Sequence, residues 1–112
     1  MIERDDLVYI QDIIESIEII EHHIGETSLY EFDQNILIQD AIIRRFEVIG
    51  EAASNISEKF KSEHDNIEWR LMRDMRNKLI HEYFGVSINT IYNTIKQDLP
   101  ALKIKMQALL NN

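Results

Sequence analysis

Residues 72–84 read MRDMRNKLIHEYF and bring Arg73, Arg76, Lys78, His81 and Tyr83 together in a chain whose net charge is -8. At ~100° per residue, Leu71, Met72, Met75 and Leu79 fall within an arc of about 100°, the width of a core-facing stripe. Arg70, Arg73, Asn77 and His81 gather on the other side, with Asn77 and His81 at the i,i+4 spacing of stacked neighbours. The pattern predicts an amphipathic helix that buries one stripe and turns phosphate-binding and proton-transferring groups away from the core. Arg76 and His81 are five apart, which separates them by ~140° and ~7.5 Å of axis. Both cannot face one small ligand from a single regular face. Either the arginine wraps round the helix, or a second copy of the chain brings its own pair across a two-fold axis, and the composite site is the expectation.

On the N-terminal side, a polar, turn-rich linker at 62–66 offers Asp65 or Asn66 as N-cap. Trp69, the single tryptophan, reads as a core or interface anchor rather than a base-stacking platform. Before it, Leu37, Ile38, Ala41, Ile42, Val48, Ile49, Ala52, Ala53, Ile56 and Phe60 predict one helix from Asp33 or Gln34 to Lys59. Gly50 costs that helix ~1 kcal/mol relative to alanine, so small residues at 50, 52 and 53 imply close approach by another helix. Glu51 is either a solvated residue or a partner for the arginines that follow. Residues 4–24 carry Leu7, Ile10, Ile14, Ile17 and Ile24 at helical spacing, widened by Ile13 and Ile20. Asp5 and Asp6 occupy the first turn, where carboxylates suit the helix dipole, and Gly25 provides a stop. After residue 84, Gly85 ends the site helix and Ser87 caps a fourth with Ile88, Ile91, Tyr92, Ile95 and Leu99 on its apolar face. Pro100 breaks or restarts the chain before Leu102, Met106, Leu109 and Leu110.

The expected architecture is therefore all-α: an up-and-down bundle of four to five helices in one domain over 1–112. Hydrophobic residues are 45% of the chain, with one proline and three glycines, which suits a folded helical protein. There is no cysteine, so disulfides and thiolate metal sites are excluded and a cytoplasmic location is expected. No apolar run reaches the ~18 residues of a membrane span, and MIERDDLVYI has acids where a signal peptide has a basic region. An acidic chain is unsuited to broad nucleic-acid binding. A local cleft remains open to it, since Arg70, Arg73, Arg76 and Lys78 are four of the twelve basic residues, and Arg44 and Arg45 add a second pair. No Glu-x-x-His pair of a di-metal bundle occurs, so no metal and no cofactor are expected.

These residues carry a family resemblance. R-N-K-L-I-H-E-Y resembles the R-x-x-x-x-H-x-Y motif of HepT-like proteins in the HEPN superfamily of helical ribonucleases. Gly50-Glu51-Ala52-Ala53 is similar to the family's G-E-A-A segment, Trp69 to its tryptophan before the catalytic helix, and Asp98-Leu99-Pro100 to its D-L-P step. Asp74 departs from the pattern, standing where the family commonly has a small residue, and can pair with Arg70 or Lys78.

The resemblance implies a homodimeric, metal-independent endoribonuclease toxin of a type VII-like toxin–antitoxin pair. Its partner would be an MntA-type nucleotidyltransferase antitoxin that silences it by placing AMP on Tyr83. The residue types suit this chemistry. An imidazole with an unperturbed pKa of ~6.5 lets His81 act as general base on the ribose 2′-hydroxyl or acid for the leaving 5′-oxygen. Arg76 holds the charge developing on phosphorus, giving a 2′,3′-cyclic phosphate. Asn77 orients His81 or donates to the phosphate, and Arg73 guides RNA to the cleft. The alternative is a non-catalytic helical binding subunit of a minimal nucleotidyltransferase complex.

Overall fold

The computed structural model describes residues 5–81 and 87–111, with the side chains of Met75 and of 78–81 left out. In chain order the helices are α1 (Asp6–Ile24), α2 (Leu29–Asp33), α3 (Ile36–Asn55), α4 (Glu58–Glu63), α5 (Trp69–His81), α6 (Ile88–Asn93) and α7 (Leu99–Leu110), with a π-helical segment, Thr94–Asp98, between the last two. No strand occurs among the described residues. The fold is all-α, as expected, and no helix among the described residues is long and apolar enough to cross a membrane.

Helix α3 is the centre, packed between α1 on one side and α5 on the other. Isoleucine builds the core: Ile10, Ile13, Ile17 and Ile20 of α1 and Ile42 of α3 are fully buried. Met72 of α5 and Ile91, Ile95, Leu99 and Met106 of the C-terminal run join them. Ties at both ends of α1 set it antiparallel to its neighbours. At its start Asp6 meets Ser57, just beyond α3. Near its end Lys103 binds Glu21 at 2.7 Å, and Lys96 reaches the Gly25 carbonyl. The Glu21 carboxylate holds the Lys103 ammonium above the usual lysine range.

The expected single helix from 33 or 34 to 59 divides in two. Ile56 turns extended (φ -70°, ψ 139°), and Ser57 caps α4 by accepting from the Phe60 N–H. Asp6 fixes the break: Ser57 donates its N–H to Oδ1 at 2.8 Å and its hydroxyl to Oδ2 at 2.7 Å. Asp6→Ala is expected to lower stability by about 1 kcal/mol and the thermal midpoint by about 4 °C. An unchanged melting curve would mean that the corner does not depend on this carboxylate.

Other expectations shift as well. The connection through Ser28 contains α2, closed by a capping box between Ser28 and Glu31. Helix α5 begins at Trp69 rather than directly after Asn66. Ser87 stands at the N-cap of α6 but makes no side-chain capping bond. Pro100 stands in the first turn of α7 and restarts the helix without breaking the helical path. Leu99 donates its N–H to the Thr94 carbonyl, and this wider π turn carries the helical path across a residue that has no N–H to give. Leu37 and Leu71, read as core positions, are 83% and 47% exposed. The expected helix end at Phe84 and Gly85 lies outside the described residues.

Candidate active site

The site begins with an absent side chain. A Cβ built on Gly50 would lie 2.2 Å from Cβ of Arg76, 2.8 Å from its Cγ and 3.1 Å from its Cδ. Only glycine lets the aliphatic stem of Arg76 lie directly on α3, so the close approach expected from the small residues at 50, 52 and 53 is made by an arginine. Ala52 and Ala53 are buried beside it.

The guanidinium is then held at its far end. Nη1 donates to Oε2 of Glu51 and Nη2 to Oδ1 of Asn77, both at 2.9 Å. Nε is buried and meets no acceptor among the described residues. With 23% of its side chain exposed, Arg76 presents a planar, permanently charged fork from a fixed stem. That arrangement suits two oxygens of a phosphate. Glu51, which the sequence left as either solvated or a partner, is a partner.

Arg76 opens into a groove of about 410 Å³ between α1, α3 and α5. Tyr9 and Asp12 line it from α1, and Arg44, Glu47, Glu51 and Asn55 from α3. Arg44 pairs with Glu47 at 3.4 Å. Sequence reading missed this groove, although spacings of three, four and four put Arg44, Glu47, Glu51 and Asn55 on one face of α3.

The other predicted residues are placed as follows. Asn77 is half-buried, and its Oδ1 serves Arg76. Arg73 is exposed and lines a different hollow with Lys61, Asp65 and Trp69, so the fold does not bring it to the groove of Arg76. His81 is the last residue of α5, described by its backbone alone, and Tyr83 lies outside the described residues. Asp74 pairs with Arg70 at 3.9 Å, both side chains exposed. Trp69 is a core anchor. It is buried, donates Nε1–H to the His64 carbonyl at 3.0 Å and sets its ring edge-on to Phe60. Among the described residues no group of three or more metal-ligating side chains converges.

Comparison with known proteins identifies the family of the chain. The probable ribonuclease HepT of Thermococcus cleftensis is 46% identical over 101 residues, covering 90% of this chain and 92% of that protein. A candidate RNase of Caldanaerobacter subterraneus is 32% identical over 102 residues, 91% of each chain. A candidate RNase of Methanocaldococcus jannaschii is 32% identical over 112 residues, covering all of this chain and 93% of that one. No solved structure matches. The model of the family described as "Ribonuclease HepT-like" matches residues 13–109, and the chain belongs to that family.

Proposed function

We propose that this chain is a metal-independent endoribonuclease, active as a homodimer, and the toxin of a type VII-like toxin–antitoxin pair. The observation that carries the reading is the guanidinium of Arg76, its stem fixed over Gly50 and 23% of its side chain exposed, five residues before the one imidazole of the motif. In the proposed reaction the 2′-oxygen attacks phosphorus and the bond to the 5′-oxygen breaks. His81 takes the 2′-hydroxyl proton, and a second imidazole, from the other copy, protonates the leaving oxygen. Arg76 holds the non-bridging oxygens as negative charge builds on them, Asn77 keeps that guanidinium in line, and Arg73 guides RNA from the neighbouring hollow.

Silencing is the second part of the proposal and rests on the place of Tyr83 in the sequence motif. An MntA-type nucleotidyltransferase partner transfers AMP to the hydroxyl of Tyr83, two residues beyond His81. The added phosphodiester charge and adenosine repel and exclude RNA.

Purified protein is expected to cut RNA equally well with and without a chelator, leaving 2′,3′-cyclic phosphate ends. Co-expression with the nucleotidyltransferase is expected to add adenylate mass at Tyr83 and stop cleavage. Activity that vanishes with the chelator would overturn the metal-free mechanism. A modified Tyr83 on a protein that never cuts RNA would support the binding-subunit alternative instead.

A further inference from the structure

Both arginines that line the groove between α1, α3 and α5 are held by carboxylates from α3. Arg76 gives Nη1 to Glu51 at 2.9 Å, and Arg44 gives Nη1 to Glu47 at 3.4 Å. We propose that this groove is a track for single-stranded RNA, in which Arg76 and Arg44 each take one phosphate while Glu51 and Glu47, their partners in the free chain, swing out to water. The proposal rests on the ribonuclease reading and extends it to Arg44, which that reading leaves without a role.

Three observations carry it. Glu47 and Glu51, whose carboxylates hold the two guanidinium groups, are four apart on one face of α3, about 6 Å along the axis, so the cations stand in tandem. A backbone that meets Arg76 therefore has a second cation further along the same groove. Next, the carboxylates are free to leave. Glu51 is 65% and Glu47 36% exposed, and exposed ion pairs hold weakly. Arg76 does not need Glu51 to stay in place, because its stem lies on Gly50 and its Nη2 on Asn77.

The third observation is the charge of the whole chain. At -8 it offers a polyanion little attraction at a distance, so local cations have to supply the contact. A carboxylate on each cation makes the groove selective. Inorganic phosphate must displace one of them unaided, whereas an oligonucleotide bound at one cation meets the second at high effective concentration. The groove therefore discriminates in favour of a strand with several phosphates.

The test is fluorescence anisotropy with a short fluorescent 2′-O-methyl RNA, which binds but cannot be cut, titrated across NaCl concentrations. Arg44→Ala is expected to weaken binding about 2–5-fold and to reduce the magnitude of the salt slope by about 0.7, the share of one phosphate contact on a single strand. Glu47→Gln and Glu51→Gln are each expected to tighten binding by a similar factor. Inorganic phosphate is expected to compete poorly. Arg44→Ala with wild-type affinity and slope, or glutamine variants that bind more weakly, would overturn the track, as would a wild-type protein that does not bind the probe. Thermal melting confirms that these surface variants fold. Cleavage assays separate the two claims: RNA cut by a protein indifferent to Arg44 sinks the track alone, and the expected binding changes without any cleavage sink the ribonuclease reading alone.

Discussion

His81→Ala is expected to slow RNA cleavage by at least about 10²–10⁴-fold, the usual contribution of one general acid or base, because both copies lose the imidazole, and to leave the thermal midpoint where it was. Of the four histidines, His22 and His23 sit exposed at the end of α1, and His64 stacks on Phe60 at a centroid distance of 4.5 Å. None of these three lines the groove of Arg76. The reading thus assigns only His81 to the reaction, one imidazole from each copy, and no other histidine can stand in for it. Initial rates on a fluorescent RNA, followed across the pH range around ~6.5 where imidazole titrates, give the decisive comparison. The wild-type rate should vary with pH there, and the residual rate of the variant should not. A variant that keeps the wild-type rate and pH profile would remove His81 from the mechanism, whatever becomes of Arg76.

Local chemistry was legible in this sequence, and contacts made across long separations were not. Asp5 caps α1 by accepting the Leu7 N–H, and Gly25 ends the same helix with a positive φ of 43°, as its sequence position suggests. Helical periodicity found the α1 core, where six isoleucines are buried. The break between α3 and α4 was hidden because Ile56 and Phe60 continue the apolar rhythm through it. What decides it is Asp6, 51 residues away. Leu71 lay within the correct arc of the wheel, yet it meets the rim of a hollow lined by Phe46, Met72 and Leu102 rather than the core. The wheel gives the direction of a side chain but not whether the neighbouring surface is filled.

At the site the same division holds. Gly50 announced a close approach, and the basic density around Arg76 announced phosphate chemistry. Joining the two required α3 and α5 in contact, because the pair Arg76–Glu51 spans 25 residues. Arg44 stood out in the sequence only as half of a second basic pair and Glu47 not at all, until the fold placed both beside that pair. Pro100 marked the start of α7, since its missing N–H is a local fact, but the π turn that joins α7 to α6 begins six residues earlier, at Thr94.

Gly50→Ala is expected to damage both folding and cleavage, although in a solvated helix it would stabilise by ~1 kcal/mol. The new Cβ would meet Cβ of Arg76 at 2.2 Å. Both atoms are bonded directly to their backbones, so no rotamer change relieves the contact. The helices must part by roughly 1.5 Å to restore an ordinary carbon–carbon separation. Overpacking of this kind costs about 1–3 kcal/mol, occasionally more, and the buried alanines next to Gly50 would be pulled from their contacts as α3 moves. After the gain in helix propensity, a net loss of about 1–2 kcal/mol is expected, close to 4–8 °C in the thermal midpoint. The same displacement carries the Arg76 stem away from its seat, and a shift of about 1 Å in a catalytic group can cost ~10²-fold in rate. Melting curves and initial rates, the latter measured well below the variant's midpoint, separate the two consequences. His81→Ala should change the rate alone, whereas Gly50→Ala should change both. A Gly50→Ala protein that melts at or above the wild-type temperature would mean that α3 and α5 separate without cost, and the placement of Arg76 would then need some support other than this glycine.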